Sequence, residues 1–302
     1  MSKPTSVGWD SLIACAVSVL VLAPPALGAP SPIPDFTGMW GRNAFDFEPL
    51  PSGQRPVINI KRLPSGLGDP NALVGDPANP ILKPEAAEIV KKRGEVSLSG
   101  NAFPDPSNQC TPWAPPFVFA MQLGLQILQK KDHITILYNQ DDQVRHVRLN
   151  EPHPARLTPS WKGDSVAHYE GDTLVIDTVG FKVGANSMVD RYGTPHSEKL
   201  HVVERYRLID GEAAKQASER HQKTEGAAGL GGAVIVDPDY KGQGLQLQFT
   251  VEDEKIFTTP WSAAVTYRRN KGTWLEQVCA ENTNEYYAGK NTAIPVADRP
   301  DF

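Results

Sequence analysis

The chain has 302 residues and carries 30 Lys and Arg against 35 Asp and Glu, a formal charge of −5. That balance excludes a nucleic-acid binder built on bulk positive charge, because phosphate neutralisation needs a basic face. With 40% apolar and 22% charged residues and a mean hydropathy of −0.36, the composition is that of a globular chain rather than a disordered one.

The first element, residues 1–28, reads as an export signal. Lys3 supplies the basic start, and Leu12 to Leu22 is an apolar run broken only by Ser18. About eleven residues are too few to span a bilayer, which needs about twenty. Ala26 and Gly28 place small residues before a cut after Gly28, and a cut after Ala29 would meet Pro30. Cys15 sits before most of the apolar run instead of after it, which argues against lipid attachment. Lys3 and Asp10 leave together, so the charge stays at −5. The mature protein is expected to be periplasmic or secreted, with no membrane span.

Export decides how the cysteines read. Cys110 and Cys279 remain, and two cysteines in an oxidising compartment point to a disulfide more than to a metal pair. The bridge would tie the Pro-rich front to the last strands, stabilising the fold by about 5 kcal/mol in the chain-entropy model.

Residues 29–130 form the next expected segment. Sixteen prolines lie between Pro30 and Pro116, a density that removes backbone donors and breaks helices and central strands. A loop-rich wrap is expected there, with one short helix from Pro84 to Arg93. Pro84 and Glu85 suit its start, Lys91, Lys92 and Arg93 its end, and Gly94 reads as the stop.

From Lys131 the period becomes two. The expected strands are His133–Tyr138, Val144–Leu149, Asp164–Tyr169, Asp172–Phe181, Leu200–Ile209, Leu245–Val251, Lys255–Thr258, Trp261–Arg268 and Trp274–Cys279, separated by Gly, Asp and Pro turns. Helical periodicity appears only near Gly211–Thr224. Residues 226–232 are glycine-rich, yet no Lys-Ser/Thr follows, so this is a loop and not a phosphate cradle. Such a succession of strands predicts an all-β fold, a lipocalin-like antiparallel β-barrel over residues 131–302 packed with the wrap as one domain. A β-sandwich is the alternative.

Two stretches carry a signature. Trp161-Lys162-Gly163-Asp164-Ser165 is followed by Tyr169-Glu170-Gly171-Asp172-Thr173-Leu174-Val175-Ile176-Asp177-Thr178, and Gly193-Thr194-Pro195-His196-Ser197-Glu198 leads into Val203-Glu204-Arg205-Tyr206. The pattern resembles that of a family of exported bacterial proteins reading W-x-G-D-S, then an aromatic residue and E-G-D-T-L-V-V-D-T. The resemblance spans roughly residues 35 to 285 and implies export and a β-rich body, without implying an activity. Tyr169 stands where Trp is expected, and Ala167 where Gly is. Physically, Glu170-Gly171 reads as a two-residue hairpin turn pairing Tyr169 with Asp172, Ala167 with Leu174 and Ser165 with Ile176. The opposite face then carries His168, Asp164 and Asp177, either as a solvated outer wall or as a polar cluster.

The candidate chemistry lies on the next strand. Val202, Glu204, Tyr206 and Leu208 share one face, and His201, Val203, Arg205 and Arg207 the other. The apolar face should point inward and carry Glu204 with it. A buried carboxylate needs a partner or shifts its pKa upward. Glu204 is therefore either a general acid/base or the partner of a buried arginine, Arg145 or Arg148. His196, in the loop with Asn186, Asp190, Arg191 and Ser197, is a candidate base oriented by Asp190. Arg145, Arg148, Tyr206, Trp161, Tyr138 and Trp261 are candidate ligand contacts. The seven histidines show no H-E-x-x-H or H-x-H spacing, and no dinucleotide fingerprint is present, so neither a metal nor another cofactor is expected. Two functions are expected in consequence: an exported acid/base enzyme (lyase, isomerase or hydrolase) acting on a small, partly apolar, aromatic or hydroxylated compound, or a non-catalytic lipocalin-like binder of such a compound. The partner is a small molecule in either case.

Overall fold

The computed structural model describes Met1, residues 33–121, 124–226 and 242–272, and Trp274, Val278 and Cys279. The export signal, all of the 226–232 loop after Gly226 and most of the Trp274–Cys279 strand expected from sequence lie outside the described residues. Contacts divide the chain into Met1–Ser31 and Pro32–Phe302, and every strand and helix described belongs to the second unit.

Among the described residues there are ten strands: β1 (Gly38–Gly41), β2 (Glu48–Pro49), β3 (Gly124–Gln129), β4 (His133–Tyr138), β5 (Gln143–Leu149), β6 (Asp164–Glu170), β7 (Thr173–Val179), β8 (His201–Ile209), β9 (Gly244–Glu252) and β10 (Trp261–Arg269). Nine of them pair in the order β1-β3-β4-β5-β6-β7-β8-β9-β10, and β1 closes the ring on β10 through Trp40↔Arg269 and Gly41↔Arg268. The fold is therefore an all-β closed barrel rather than a sandwich. Closure leaves no free edge among these nine strands, and β2 adds two residue pairs to β10.

The ladder is antiparallel except at β5–β6, which run parallel through Arg148↔Val166 and Leu149↔Ala167. A parallel pair needs a long crossover. Residues 150–163 supply it, with Asn150 at φ 58° leaving β5 and Pro152, Pro154 and Pro159 preventing a strand along the way.

The ring also draws on residues before Lys131. Leu125 and Ile127 of β3 alternate inward at 1% and 0% exposure, a period-two signal that is short and preceded by the proline-rich wrap. Lys255–Thr258, expected as a strand, is a turn. The carbonyl of Asp253 accepts from both Ile256 N (3.0 Å) and Phe257 N (2.8 Å), and its side chain accepts from Lys255 N (3.1 Å).

The β6–β7 hairpin is displaced by two residues in register from the sequence expectation. Gly171 and Asp172 are the central residues, so Tyr169 faces Leu174, Ala167 faces Ile176 and Ser165 faces Thr178. Gly171 takes φ 62° as the first central residue, a conformation that suits glycine. A two-residue shift preserves every side chain's face, so Ala167 and Ile176 still point into the core.

Among the described residues three α-helices accompany the strands: α1 (Pro84–Leu98), α2 (Phe117–Met121) and α3 (Gly211–Glu225). Gly94 does not stop α1. It is an interior helical residue whose added Cβ would lie 3.1 Å from Val74 Cγ1, so a close helix approach explains the glycine. The helix instead ends at Ser99, and no basic residue occupies its last turn, so the expected dipole match fails. Asp210 caps α3 by accepting from Glu212 N (2.9 Å) and Ala213 N (3.2 Å), a device that stabilises a helix by about 1 kcal/mol. Among the described residues no helix is long and apolar enough to cross a membrane.

The core is aromatic. Phe47 and Phe119 of the wrap meet Phe249 of β9 with ring centroids 5.0 and 5.2 Å apart, and Phe249 meets Trp261 of β10 at 5.9 Å. The Pro-rich front is thus packed into the barrel, and Cys110 and Cys279 form a disulfide with Cα atoms 5.4 Å apart.

Candidate functional site

The inward face of β8 carries Val202, Glu204 and Tyr206, each 0% exposed, as its alternation requires. Arg145 on β5 reaches Glu204 with two hydrogen bonds, Nη2 to Oε1 at 2.6 Å and Nη1 to Oε2 at 2.9 Å. Its Nε donates to Ser165 Oγ (3.1 Å) and its Nη2 also donates to Thr178 Oγ1 (2.6 Å). Tyr206 Oη donates to Glu204 Oε2 at 2.9 Å.

Four strands thus converge on one buried ion pair, and both carboxylate oxygens are engaged. Burial, the largest single influence, works to lower the Arg145 pKa, but the charge and hydrogen bond of Glu204 together with the Tyr138 and Tyr206 phenols outweigh it, and the net direction is up. Burial pushes the Tyr138 phenol up to about 12. Its hydroxyl is buried with no hydrogen-bond partner among the described residues. Trp261 packs against Phe249, Phe47 and Phe257. Arg148 points to the outer face, where it holds Asp164 (2.8 and 3.0 Å) and Glu151 (3.0 Å).

His196 is placed elsewhere, lining a cavity of about 210 Å³ on the barrel's flank. Trp161, Met188, Pro112 and Ala114 give this cavity an apolar lining, to which Asn186 and Thr111 add polar groups. The imidazole is 4% exposed, and its Nδ1 lies 3.1 Å from the Ser197 carbonyl. A carbonyl only accepts, so Nδ1 carries the hydrogen. Burial lowers the ring's pKa, which keeps it neutral and leaves Nε2 as a bare acceptor.

Asp253 supports the arrangement. Its carboxylate accepts from Ser197 N (2.6 Å) and Ser197 Oγ (2.7 Å), which fixes the backbone that orients the ring. Sequence reasoning missed Asp253, whose only local signal is that of a turn-forming Asp after a strand. Asp190 does not touch His196. Its Oδ1 accepts from Tyr192 N (2.9 Å) and Thr194 N (3.1 Å), and burial pushes its pKa up to about 6.

Two ties hold the walls together. Lys162, next to Trp161, donates its Nζ to the Trp113 carbonyl (2.5 Å) and to Gln143 Oε1. Trp113 lies between the wall residues Pro112 and Ala114. Burial pushes the Lys162 ammonium down to about 7, with the charge of Arg145 adding to the effect. The disulfide anchors Cys110 beside Thr111, and Cys279 N donates to Asp141 Oδ1 at 2.8 Å.

Among the sequence-predicted residues, Glu204, Arg145, Tyr206 and Tyr138 come together in the core. Trp161 and His196 come together at the cavity. Asp164 and Asp177 join a row on the outer wall. There His153 bridges them, with Nδ1 2.6 Å from Asp164 Oδ1 and Nε2 3.0 Å from Asp177 Oδ1. His201 Nε2 lies 3.0 Å from Asp177 Oδ2, and His168 lies apart beside Glu170 at 3.0 Å. Among the described residues no group of three or more His, Cys, Asp or Glu side chains is arranged to hold a metal ion. Comparison with protein-family models, curated proteins and solved structures gave no match.

Proposed function

We propose that this chain is an exported binding protein for a small, partly apolar, aromatic or hydroxylated compound, held in the cavity beside His196, with the barrel serving as a filled scaffold. The carrying observation is the neutral, buried imidazole of His196, which lines a cavity together with Trp161 and Met188 and whose Nε2 has no hydrogen-bond partner among the described residues. A ligand hydroxyl would donate to Nε2 while its ring lies against Trp161. At about 210 Å³ the cavity is smaller than the roughly 300–1,000 Å³ of drug-sized sites, which favours a one-ring compound. Export is supported by the leader-like first 28 residues and by the Cys110–Cys279 disulfide.

The reading is tested by titrating small phenols and cyclic alcohols into the protein. Saturable binding that weakens about tenfold in His196→Ala, the worth of one buried hydrogen bond, is expected. Equal binding by His196→Ala would refute it. A second reading rests on the same Nε2: a neutral imidazole is also a general base. Glu204 would take no part in it, since both its oxygens are occupied. Exchange of ligand C–H for deuterium in heavy water, lost in His196→Ala, would mark turnover.

A further inference from the structure

A second cavity, of about 360 Å³, opens between the corner at Phe45 and Asp46, the segment 59–73 and the end of α3. Its apolar wall is Leu63, Leu67 and Leu73. Four ionisable groups, Asp46, Asp69, Arg191 and Glu225, interrupt that wall. Arg191 lies with its guanidinium 4.5 Å above the Phe45 ring and donates Nη1 to Asp46 Oδ2 at 3.1 Å. Its Nε is buried and has no hydrogen-bond partner among the described residues. Among the described residues Glu225 is held on one oxygen, Oε1, by Arg62 Nη1 at 3.0 Å.

The side chains of Asp46 and Glu225 are 12% and 13% exposed. Burial, with the charge of Asp46 adding to it, raises the Glu225 pKa, and both carboxylates line the same cavity. A guanidinium and carboxylates set into a mostly apolar enclosure favour partners of opposite charge. One ligand serves both if it carries an anionic oxygen at one end and an ammonium at the other.

We propose that this cavity binds an α-amino acid with an aliphatic side chain. Its carboxylate pairs with the Arg191 guanidinium, its ammonium sits at Glu225 and Asp46, and its side chain lies against Leu63, Leu67 and Leu73. The site is independent of His196, which lines the other cavity.

The test is calorimetric titration of the full mature chain with L-leucine, with 3-methylbutylamine (no carboxylate) and with 4-methylpentanoate (no amine). Leucine is expected to bind saturably, and each analogue at least tenfold more weakly. Glu225→Gln should weaken leucine at least tenfold, and His196→Ala should bind it as the parent does. Because Arg191 also holds Asp46, its replacement risks the local fold. Leu67→Trp, which fills the cavity from its partly exposed rim, is the companion variant and should abolish binding. The proposal is overturned if leucine gives no saturable heat at millimolar concentration, if the amine alone binds as tightly as leucine, or if Leu67→Trp binds leucine unchanged.

Discussion

Replacing Glu204 by Gln tests the core ion pair most sharply. The substitution keeps the side chain's shape but leaves Arg145 charged, 1% exposed and facing an amide. One carbonyl acceptor survives for either the 2.6 Å or the 2.9 Å contact, while the amide NH₂ opposes the guanidinium. Removing one partner of a buried pair costs about 3–5 kcal/mol. For a chain of this size that corresponds to a fall in Tm of roughly 6–20 °C, readable by near-ultraviolet circular dichroism. The double variant Glu204→Leu/Arg145→Met removes both charges, and its Tm should return most of the way, because a buried pair and an apolar pair of similar volume are nearly equivalent. Ser165 Oγ and Thr178 Oγ1, 3.1 Å apart, still satisfy each other there. A Tm for Glu204→Gln within about 2 °C of the parent, or a double variant less stable than the single one, would refute the reasoning. Ligand affinity at the His196 cavity should be unaffected by either change.

Three further outcomes are expected. Reducing Cys110–Cys279, a bridge closing a separation of 169 residues, should lower stability by up to about 5 kcal/mol in urea titrations and weaken ligand binding, because the bridge anchors the wall at Thr111 and Pro112. The pKa of His201 is raised above 6.5, first by its hydrogen bond to Asp177. Its contribution is therefore full below pH 6.5 and lost as pH rises through the folded-state value; His201→Gln should flatten the stability profile on that alkaline side, and an unchanged slope would count against the pairing. His221 behaves oppositely. Burial lowers its pKa from 6.5 to about 4 while its Nε2 donates to the Phe45 carbonyl at 2.5 Å. The unfolded chain takes up the proton first, so stability should fall by up to about 3 kcal/mol between pH 6.5 and 4, and His221→Gln should remove that part of the acid slope.

Much of the barrel was legible because period two is a strong local signal. The alternation on β8 placed Val202, Glu204 and Tyr206 inside and His201, Arg205 and Arg207 outside, and the same logic offered a buried arginine, Arg145 or Arg148, as one of two roles for Glu204. What escaped was set by long-range contacts. Gly94 reads as a helix stop unless Val74 is known to press against it. The parallel β5–β6 step depends on where the 150–163 crossover lands. The β6–β7 register moved because Gly171 fits either central position of a two-residue turn. The cavity beside His196 needs Thr111, Pro112, Trp161 and Met188 from three separate segments, and no spacing along the chain announces that meeting. Asp253 was invisible for the same reason, since its role depends on Ser197, 56 residues away.

The most direct test is a long-range ¹H–¹⁵N correlation spectrum of the histidine rings, assigned with His196→Ala and repeated with a saturating phenol. His196 should show a protonated Nδ1 and a bare Nε2 across neutral pH, and the phenol should move the Nε2 resonance of this ring alone. A protonated Nε2 at neutral pH, or a bound phenol that leaves His196 untouched, would contradict the assignment of this cavity.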